Sequence, residues 1–353
     1  MDDAERMQQA MVLGSAVRAA TSPNPWVGCV IESPSGEVFE GATEPPGGRH
    51  AEVVALDAAG PAAQGGTAWV TLEPCAHTGR TGPCADALIE AGIARVVIAL
   101  EDPDTRVAGA GIERLRAAGV DVEVGLLGDA VRVQLAPYLK HRSTGQPWVV
   151  LKLGATLDGR TAAPDGTSQW ITGGAARADA HAVRAESDAI VVGAGTVRAD
   201  DPSLTVRHVD GKDPLRVVLG SAPVGARVLP AMEFSGELTD LLDALGARGV
   251  LQVLVEGGAT VAGAFHRAGL VDHYVIYLAP ALFGGDDARP LFAGEGAPTI
   301  ADVWRGAITA VTQLGGDLRI DLSPVGPSAV TGPVPVVRIG DIPPFSPSGQ
   351  GGH

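Results

Sequence analysis

The chain has 353 residues, 45% of them apolar, and a formal net charge of −15. That length exceeds one typical domain and predicts two. No apolar run approaches the length of a membrane span, and the acidic balance opposes a nucleic-acid backbone as partner while leaving a small phosphorylated substrate open. Three cysteines build no disulfide framework, and Met1–Ala20 lacks the basic start and continuous apolar stretch of a secretory signal. The chain reads as a cytoplasmic enzyme.

In chain order, Met7, Met11, Gly14 and Val17 recur at helical spacing and predict an N-terminal helix. Trp26–Glu32 and Glu37–Gly41 flank Pro34-Ser35-Gly36 as a hairpin. Helices follow at His50–Ala59, Cys84–Ala91, Gly111–Ala118 and Asp129–His141, alternating with strands at Ala68–Leu72, Arg95–Leu100 and Val120–Gly125. Such alternation predicts a sheet covered by helices on both faces. The polar run Arg142–Pro147 is the expected domain boundary.

Beyond it, strands are predicted at Trp148–Ala155, Ala189–Val192, Leu215–Leu219, Leu251–Val255 and His273–Ala279. Helices are predicted at Gly174–Glu186, Leu238–Leu245 and Ala259–Ala268, and an antiparallel strand pair near Ala307–Leu314 and Leu318–Leu322. From about Ser323 the chain is rich in Pro, Gly and Ser without a core-forming period, which predicts an extended or disordered tail. No internal repeat is evident.

His50-Ala51-Glu52, Pro74-Cys75 and Cys84 carry the most specific chemistry. One imidazole and two thiolates hold Zn²⁺ tetrahedrally with a fourth position open for water, as in a catalytic site. Glu52 stands where a general acid/base serves that water without binding the metal, which is the zinc-deaminase arrangement. Cys84 opens a helix, whose dipole favours a thiolate. The nine-residue step from Cys75 to Cys84 is longer than the usual three, and its loop carries His77 and Arg80 as candidates for substrate recognition. Cys29, inside the apolar run Trp26–Ile31, reads as a core thiol. A structural zinc scaffold would need a fourth protein ligand near this trio, and the sequence offers none.

The second half is less specific. Gly193-Ala194-Gly195 after the strand Ala189–Val192 suggests a phosphate-cradling turn but lacks the third glycine of a dinucleotide fingerprint. Val255-Glu256-Gly257-Gly258-Ala259-Thr260 runs strand, glycine pair, helix, and either cradles a phosphate at the helix start or is a tight turn. Lys152, a lone cation in an apolar strand, either snorkels to the surface or enters a site.

Pro23-Asn24-Pro25-Trp26-Val27-Gly28, His50-Ala51-Glu52 and Thr71-Leu72-Glu73-Pro74-Cys75 through Pro83-Cys84 together resemble the bifunctional deaminase/reductases of riboflavin biosynthesis, whose own pattern includes the long cysteine spacing. In the second half Leu151-Lys152-Leu153, Leu157-Asp158-Gly159-Arg160, Ser168-Gln169-Trp170-Ile171-Thr172, Asp200-Asp201-Pro202 with Leu204-Thr205 and Arg207, and Val255–Gly258 resemble the reductase half of that family. The resemblance covers roughly residues 5–322. It implies an α/β architecture: a cytidine-deaminase-like three-layer αβα domain over 1–142, then a dihydrofolate-reductase-like α/β domain with a mixed sheet over 148–322, with 323–353 as tail.

It further implies Zn²⁺ and NADPH as cofactors and a phosphorylated pyrimidine as substrate. Glu52 would be catalytic, with His50, Cys75 and Cys84 on the metal, and Asn24, His77 and Arg80 on the deaminase substrate. Gly154, Trp170, Thr196, Asp200 and the segment Gly258, Ala259, Thr260, Val261, Ala262, Gly263, Ala264 would bind NADPH. Lys152, Ser168, Arg184, Leu204, Arg207 and Glu256 would face the phosphorylated sugar, and Lys152 and Asp200 are both candidates for the proton donor. The resemblance leaves room for a homo-oligomer through the reductase half. One departure is Val228–Glu237, short for the family and close to where the cofactor's adenosine end is expected.

Overall fold

The computed structural model describes residues 1–76, 82–104, 107–324 and 336–338. The first domain opens with α1 (Asp3–Ala16), whose start is fixed by reciprocal bonds between Asp2 and Glu5, each 2.8 Å. Its buried face includes Met7 and Gly14, in line with the helical spacing. After α2 (Arg18–Thr21) come β1 (Gly28–Glu32), β2 (Val38–Ala42), α3 (Ala51–Ala59), β3 (Thr67–Val70), α4 (Cys84–Glu90), β4 (Arg95–Ile98), α5 (Ala110–Ala117) and β5 (Asp121–Val124). The strands form one mixed sheet in the order β2-β1-β3-β4-β5, with β1 antiparallel to both neighbours and β3, β4 and β5 parallel. Gly28 lets α1 lie directly on the sheet, since a Cβ there would run into the Ala10 carbonyl.

The expected single helix Asp129–His141 is two, α6 (Gly128–Gln134) and α7 (Ala136–Thr144). Pro137 stands in the first turn of α7, where its missing N–H costs nothing but ends any continuous ladder from α6. The boundary run therefore begins as helix: Arg142, Ser143 and Thr144 close α7, and Gly145 at φ 77° caps it.

The second domain contains β6 (Trp148–Thr156), β7 (Arg160–Ala162), α8 (Gly174–Ala185), β8 (Ala189–Gly193), α9 (Ala194–Asp200), β9 (Leu215–Leu219), β10 (Met232–Phe234), α10 (Leu238–Gly246), β11 (Gln252–Val255), α11 (Ala259–Arg267), β12 (His273–Ala279), β13 (Arg289–Pro290), β14 (Gly306–Leu314), β15 (Asp317–Pro324) and β16 (Val336–Arg338). Nine strands form a mixed sheet in the order β10-β9-β8-β11-β6-β12-β15-β14-β16. The six from β10 to β12 run parallel, and β15 pairs antiparallel with β12 and β14. Strands such as β8 and β11 are buried throughout because helices cover both faces, and separate apolar cores lie on the two sides. The Val228–Glu237 segment supplies β10, the edge strand beside β9. Of the expected tail, Ser323 and Pro324 end β15, and Val336–Arg338 pairs with β14; the remaining tail residues lie outside the described ones.

Candidate active sites

The zinc trio converges. His50 is the N-cap of α3 and Cys84 the first residue of α4, so two helix starts face one point, with Cys75 arriving on the connection after β3. Nδ1 of His50 lies 3.6 Å from Sγ of Cys75 and 3.3 Å from Sγ of Cys84, and the three ligand atoms all fall within 4.8 Å of one another. A tetrahedral ion with arms of about 2.0 Å to nitrogen and 2.3 Å to sulfur spans edges of roughly 3.5–3.8 Å, so the trio fits Zn²⁺. The Cys84 N–H points at Sγ of Cys75 (3.4 Å). The neighbouring Cys84 thiol, with His50 and that N–H, holds the Cys75 thiol well below its ordinary value, toward the anionic form a metal needs.

Glu52 sits in the first turn of α3 and is buried. Burial pushes its carboxyl up to about 7 in the metal-free site, partly opposed by His50. Cys29 is fully buried in the core, as expected.

A cavity of about 140 Å³ adjoins this centre, and Asn24, His50, Glu52 and Cys75 line it. His77 and Arg80 lie outside the described residues. Sequence reasoning missed further lining groups, among them Glu73, Asp102, Asp104, Tyr138 and Arg142. Glu73 is buried and accepts from the backbone N–H groups of Asp102, Gly109, Gly111 and Ile112, so it holds the Asp102 loop and the start of α5. Its place inside the Leu72–Cys75 motif was the available signal. Asp102 and Tyr138 carried none, being ordinary residue types far apart in the chain.

In the second domain a cavity of about 920 Å³ opens past the carboxyl ends of β8, β9 and β11, the usual place for a ligand in such sheets. Lys152, Gly154, Ser168, Thr196, Asp200, Glu256, Gly258, Ala259, Thr260 and Val261 line it. Gly258 caps α11, and its N–H donates to the Thr196 hydroxyl at 3.2 Å. The first N–H groups of α11 have no intrahelical acceptor and suit a pyrophosphate. Arg198 and Arg289, both missed from the sequence, add positive charge to the same wall. These features fit an anionic dinucleotide.

Several expected contacts stand elsewhere. Ala262 and Gly263 turn into the packed side of α11, where a Cβ on Gly263 would strike the Ala293 carbonyl, and Ala264 does not line the cavity. Trp170 is 68% exposed, outside the cavity wall, with Arg177 stacked 4.6 Å from its ring centroid. Leu204 is buried in the core despite φ 53°. Gly193-Ala194-Gly195, expected as a phosphate-cradling turn, is the cap and first turn of α9 and does line the cavity.

Arg184 is buried and committed. It donates to both oxygens of Glu256 (3.0 Å each) and to the Thr205 carbonyl (2.6 Å). Burial favours the neutral acid at Glu256, but Lys152 and Arg184 outweigh it and hold the carboxyl below its ordinary value. Lys152 Nζ lies 3.9 Å from Glu256, so this cation enters the site rather than snorkelling away. Arg207 is exposed, and its N–H donates to Nδ1 of His181 at 3.1 Å. Burial and the neighbouring Arg184 and Arg207 push His181 down to about 4, so it is neutral at pH 7.

Two family models match the chain: the cytidine and deoxycytidylate deaminase zinc-binding region over residues 1–100, and the RibD C-terminal domain over 147–318. The riboflavin biosynthesis protein RibD of Escherichia coli is 40% identical, across 91% of this chain and 99% of that protein. The RibD of Mycobacterium tuberculosis is 45% identical, across 90% and 96%. Among solved structures, Acinetobacter baumannii RibD superposes with a TM-score of 0.86 at 40% identity over 92% of this chain and 99% of that one. A Thermotoga maritima diaminohydroxyphosphoribosylaminopyrimidine deaminase/5-amino-6-(5-phosphoribosylamino)uracil reductase does so at 0.83, with 30% identity over 91% and 98%.

Proposed function

The chain belongs to the RibD family, the bifunctional deaminase/reductases of riboflavin biosynthesis, and we propose that its two cavities divide the two reactions between them. The first hydrolyses the 2-amino group of 2,5-diamino-6-ribosylamino-4(3H)-pyrimidinone 5′-phosphate. The second reduces the ribosyl group of 5-amino-6-(5-phosphoribosylamino)uracil to ribityl with NADPH. The observation that carries this reading is the convergence of His50, Cys75 and Cys84 beside a buried Glu52, in a chain whose other cavity offers a helix start and two arginines to an anionic cofactor.

His50, Cys75 and Cys84 would hold the zinc, which supplies Lewis acidity toward a water molecule. Glu52 takes the proton of the attacking water and hands it to the leaving amine, a role supported by its buried place in the first turn of α3 beside the three ligands. Asn24 orients the ring, and His77 and Arg80 are assigned to the pyrimidine and ribose phosphate by family resemblance. In the reductase cavity NADPH supplies the hydride. The N–H groups of Ala259, Thr260 and Val261 orient its phosphates, with the Thr196 hydroxyl, held by the Gly258 N–H, and Gly154 and Asp200 along the same wall. Lys152 and Ser168 face the sugar, Glu256 fixes the ammonium of Lys152, and Arg184 fixes Glu256 rather than touching the substrate. Arg207, exposed and not otherwise committed, is assigned to the 5′-phosphate.

A cytoplasmic location belongs to the same reading and is supported by three cysteines that form no disulfide. Assembly through the reductase domain is supported by Trp304, Ile308 and Leu318, apolar side chains left partly exposed on and before β14 and β15.

The test is a product assay on the diaminopyrimidinone phosphate with and without NADPH. Ammonia release should not need NADPH, and the ribityl product should. Glu52→Gln should keep one zinc per chain, lose deamination by about 10²–10⁴-fold, and still reduce deaminated substrate supplied to it. Deamination that requires NADPH, or near-normal turnover in the variant, would overturn the assignment.

A further inference from the structure

Helix α7 leads from one domain into the other, and its side chains are committed to both. Tyr138, buried, donates its hydroxyl to Asp102, 3.0 Å from Oδ2 and 3.2 Å from Oδ1. One turn later the Arg142 guanidinium lies 5.0 Å from the Tyr138 ring centroid, with Nε 3.6 Å from Oδ2 of Asp104. All four line the cavity that also contains His50 and Glu52. Their i, i+4 spacing puts Tyr138 and Arg142 on one face of the helix.

Lys140, at roughly 200° around the helix from Tyr138, leaves in the opposite direction. Its Nζ is 2.5 Å from Oδ2 of Asp272 in the second domain. The same carboxylate oxygen accepts the Val149 N–H at the head of β6 (2.7 Å). Nε2 of His141 stands 3.0 Å from the Gly246 carbonyl at the end of α10. So the residues that build a wall of the deaminase cavity alternate with residues tied to the reductase domain.

We propose that α7 is a positioning element shared by the two domains: Tyr138 and Arg142 hold Asp102 and Asp104 in the deaminase wall, and the Lys140–Asp272 tie sets where the helix stands. Asp102 and Asp104 are acceptors, and a diaminopyrimidinone offers N–H donors, so displacing this wall weakens substrate binding rather than the chemical step. The inference rests on the deaminase assignment above.

The experiment uses full-length, zinc-loaded enzyme and reads KM and kcat of both reactions separately. Tyr138→Phe, which removes only the hydroxyl, and Arg142→Met should each raise the deaminase KM about tenfold, the low end for losing a charge-assisted contact. Turnover should stay within about threefold, the signature of lost ground-state binding, with one zinc per chain. Lys140→Met should move the same KM in the same direction by a smaller factor, Lys140→Arg should restore it, and neither should change reduction of supplied deaminated substrate. An unchanged deaminase KM in Lys140→Met overturns the proposed tie, whatever Tyr138→Phe does. A parallel loss of both reactions in Lys140→Met overturns it too, since that is general destabilisation. Failure of the underlying assignment looks different: Glu52→Gln would then deaminate normally.

Discussion

Arg184 and Arg207 stand close together in the folded chain but should respond to mutation in opposite ways. Arg184 and Glu256 form a two-point pair whose side chains are only 9% and 12% exposed. Replacing Arg184 by Leu leaves the buried carboxylate with Lys152, at 3.9 Å, as its charged partner among the described residues, and it removes the donor to the Thr205 carbonyl. Breaking a buried pair from one side costs about 3–5 kcal/mol. For a domain of this size each kcal/mol moves the melting temperature by about 2–4 °C, so the reductase transition should fall by about 6–20 °C in calorimetry, with little dependence on salt because the pair is shielded. Arg207→Leu removes an exposed side chain and should leave that transition within about ±0.5 kcal/mol of the parent. It should instead raise KM for the phosphorylated sugar about ten- to a hundredfold without affecting a dephosphorylated analogue. If Arg184→Leu melts normally and loses only phosphate discrimination, the buried-pair argument is wrong and Arg184 is the phosphate ligand.

Two further outcomes follow from individual side chains. In zinc-free protein the Glu52 carboxyl is raised from 4.5 to about 7, so its native state binds the proton more tightly than the unfolded chain. That contribution is whole below about pH 4.5 and is lost as pH climbs through 7, a swing of about 3 kcal/mol at 1.36 kcal/mol per pKa unit. Zinc-free Glu52→Gln should therefore match the parent in urea denaturation at pH 4 and exceed it by about that amount at pH 8; a gap independent of pH would refute the burial argument. Thr196→Val removes the acceptor that holds the Gly258 N–H and should raise the NADPH dissociation constant about three- to tenfold by titration calorimetry, while an unchanged constant would detach Thr196 from the cofactor.

Much of this fold was legible because long elements carry strong periodicity. The buried strands β6, β8, β11 and β12 and the helices α8, α10 and α11 lie within a few residues of their expected bounds. The zinc trio and Glu52 were legible for another reason: metal chemistry restricts residue type, and each ligand sits at a helix start or strand exit that local sequence marks. What escaped was set by contacts rather than by local pattern. Helix α9 buries only Ala194 and Val197, too few to make a period, and its cap Gly193 with Gly195 in its first turn mimics a turn. Strands β7, β10 and β13 have two or three residues each and exist only through their partners. Arg184 was expected to face the phosphorylated sugar, and nothing in the helix betrays that Glu256, 72 positions later, pairs with it in the interior.

The net charge of −15 conceals two opposite local fields. The deaminase cavity gathers Glu52, Glu73, Asp102 and Asp104 beside two cysteine ligands, with Arg142 as a cationic side chain on the described wall. So many acidic groups around one point demand a compensating cation, and a divalent metal on His50, Cys75 and Cys84 supplies it where a lysine or arginine would fill the space the pyrimidine needs. The reductase cavity inverts the balance, setting Lys152, Arg198 and Arg289 against Asp200 and Glu256, while Arg184 neutralises Glu256 from behind. That leaves the cations of this wall facing the solvent-filled space, where a dinucleotide and a sugar phosphate bring several negative charges. A single value for the whole chain therefore argues against polymeric nucleic acid, which meets the surface, but says little about small anions, which meet only the cavity walls.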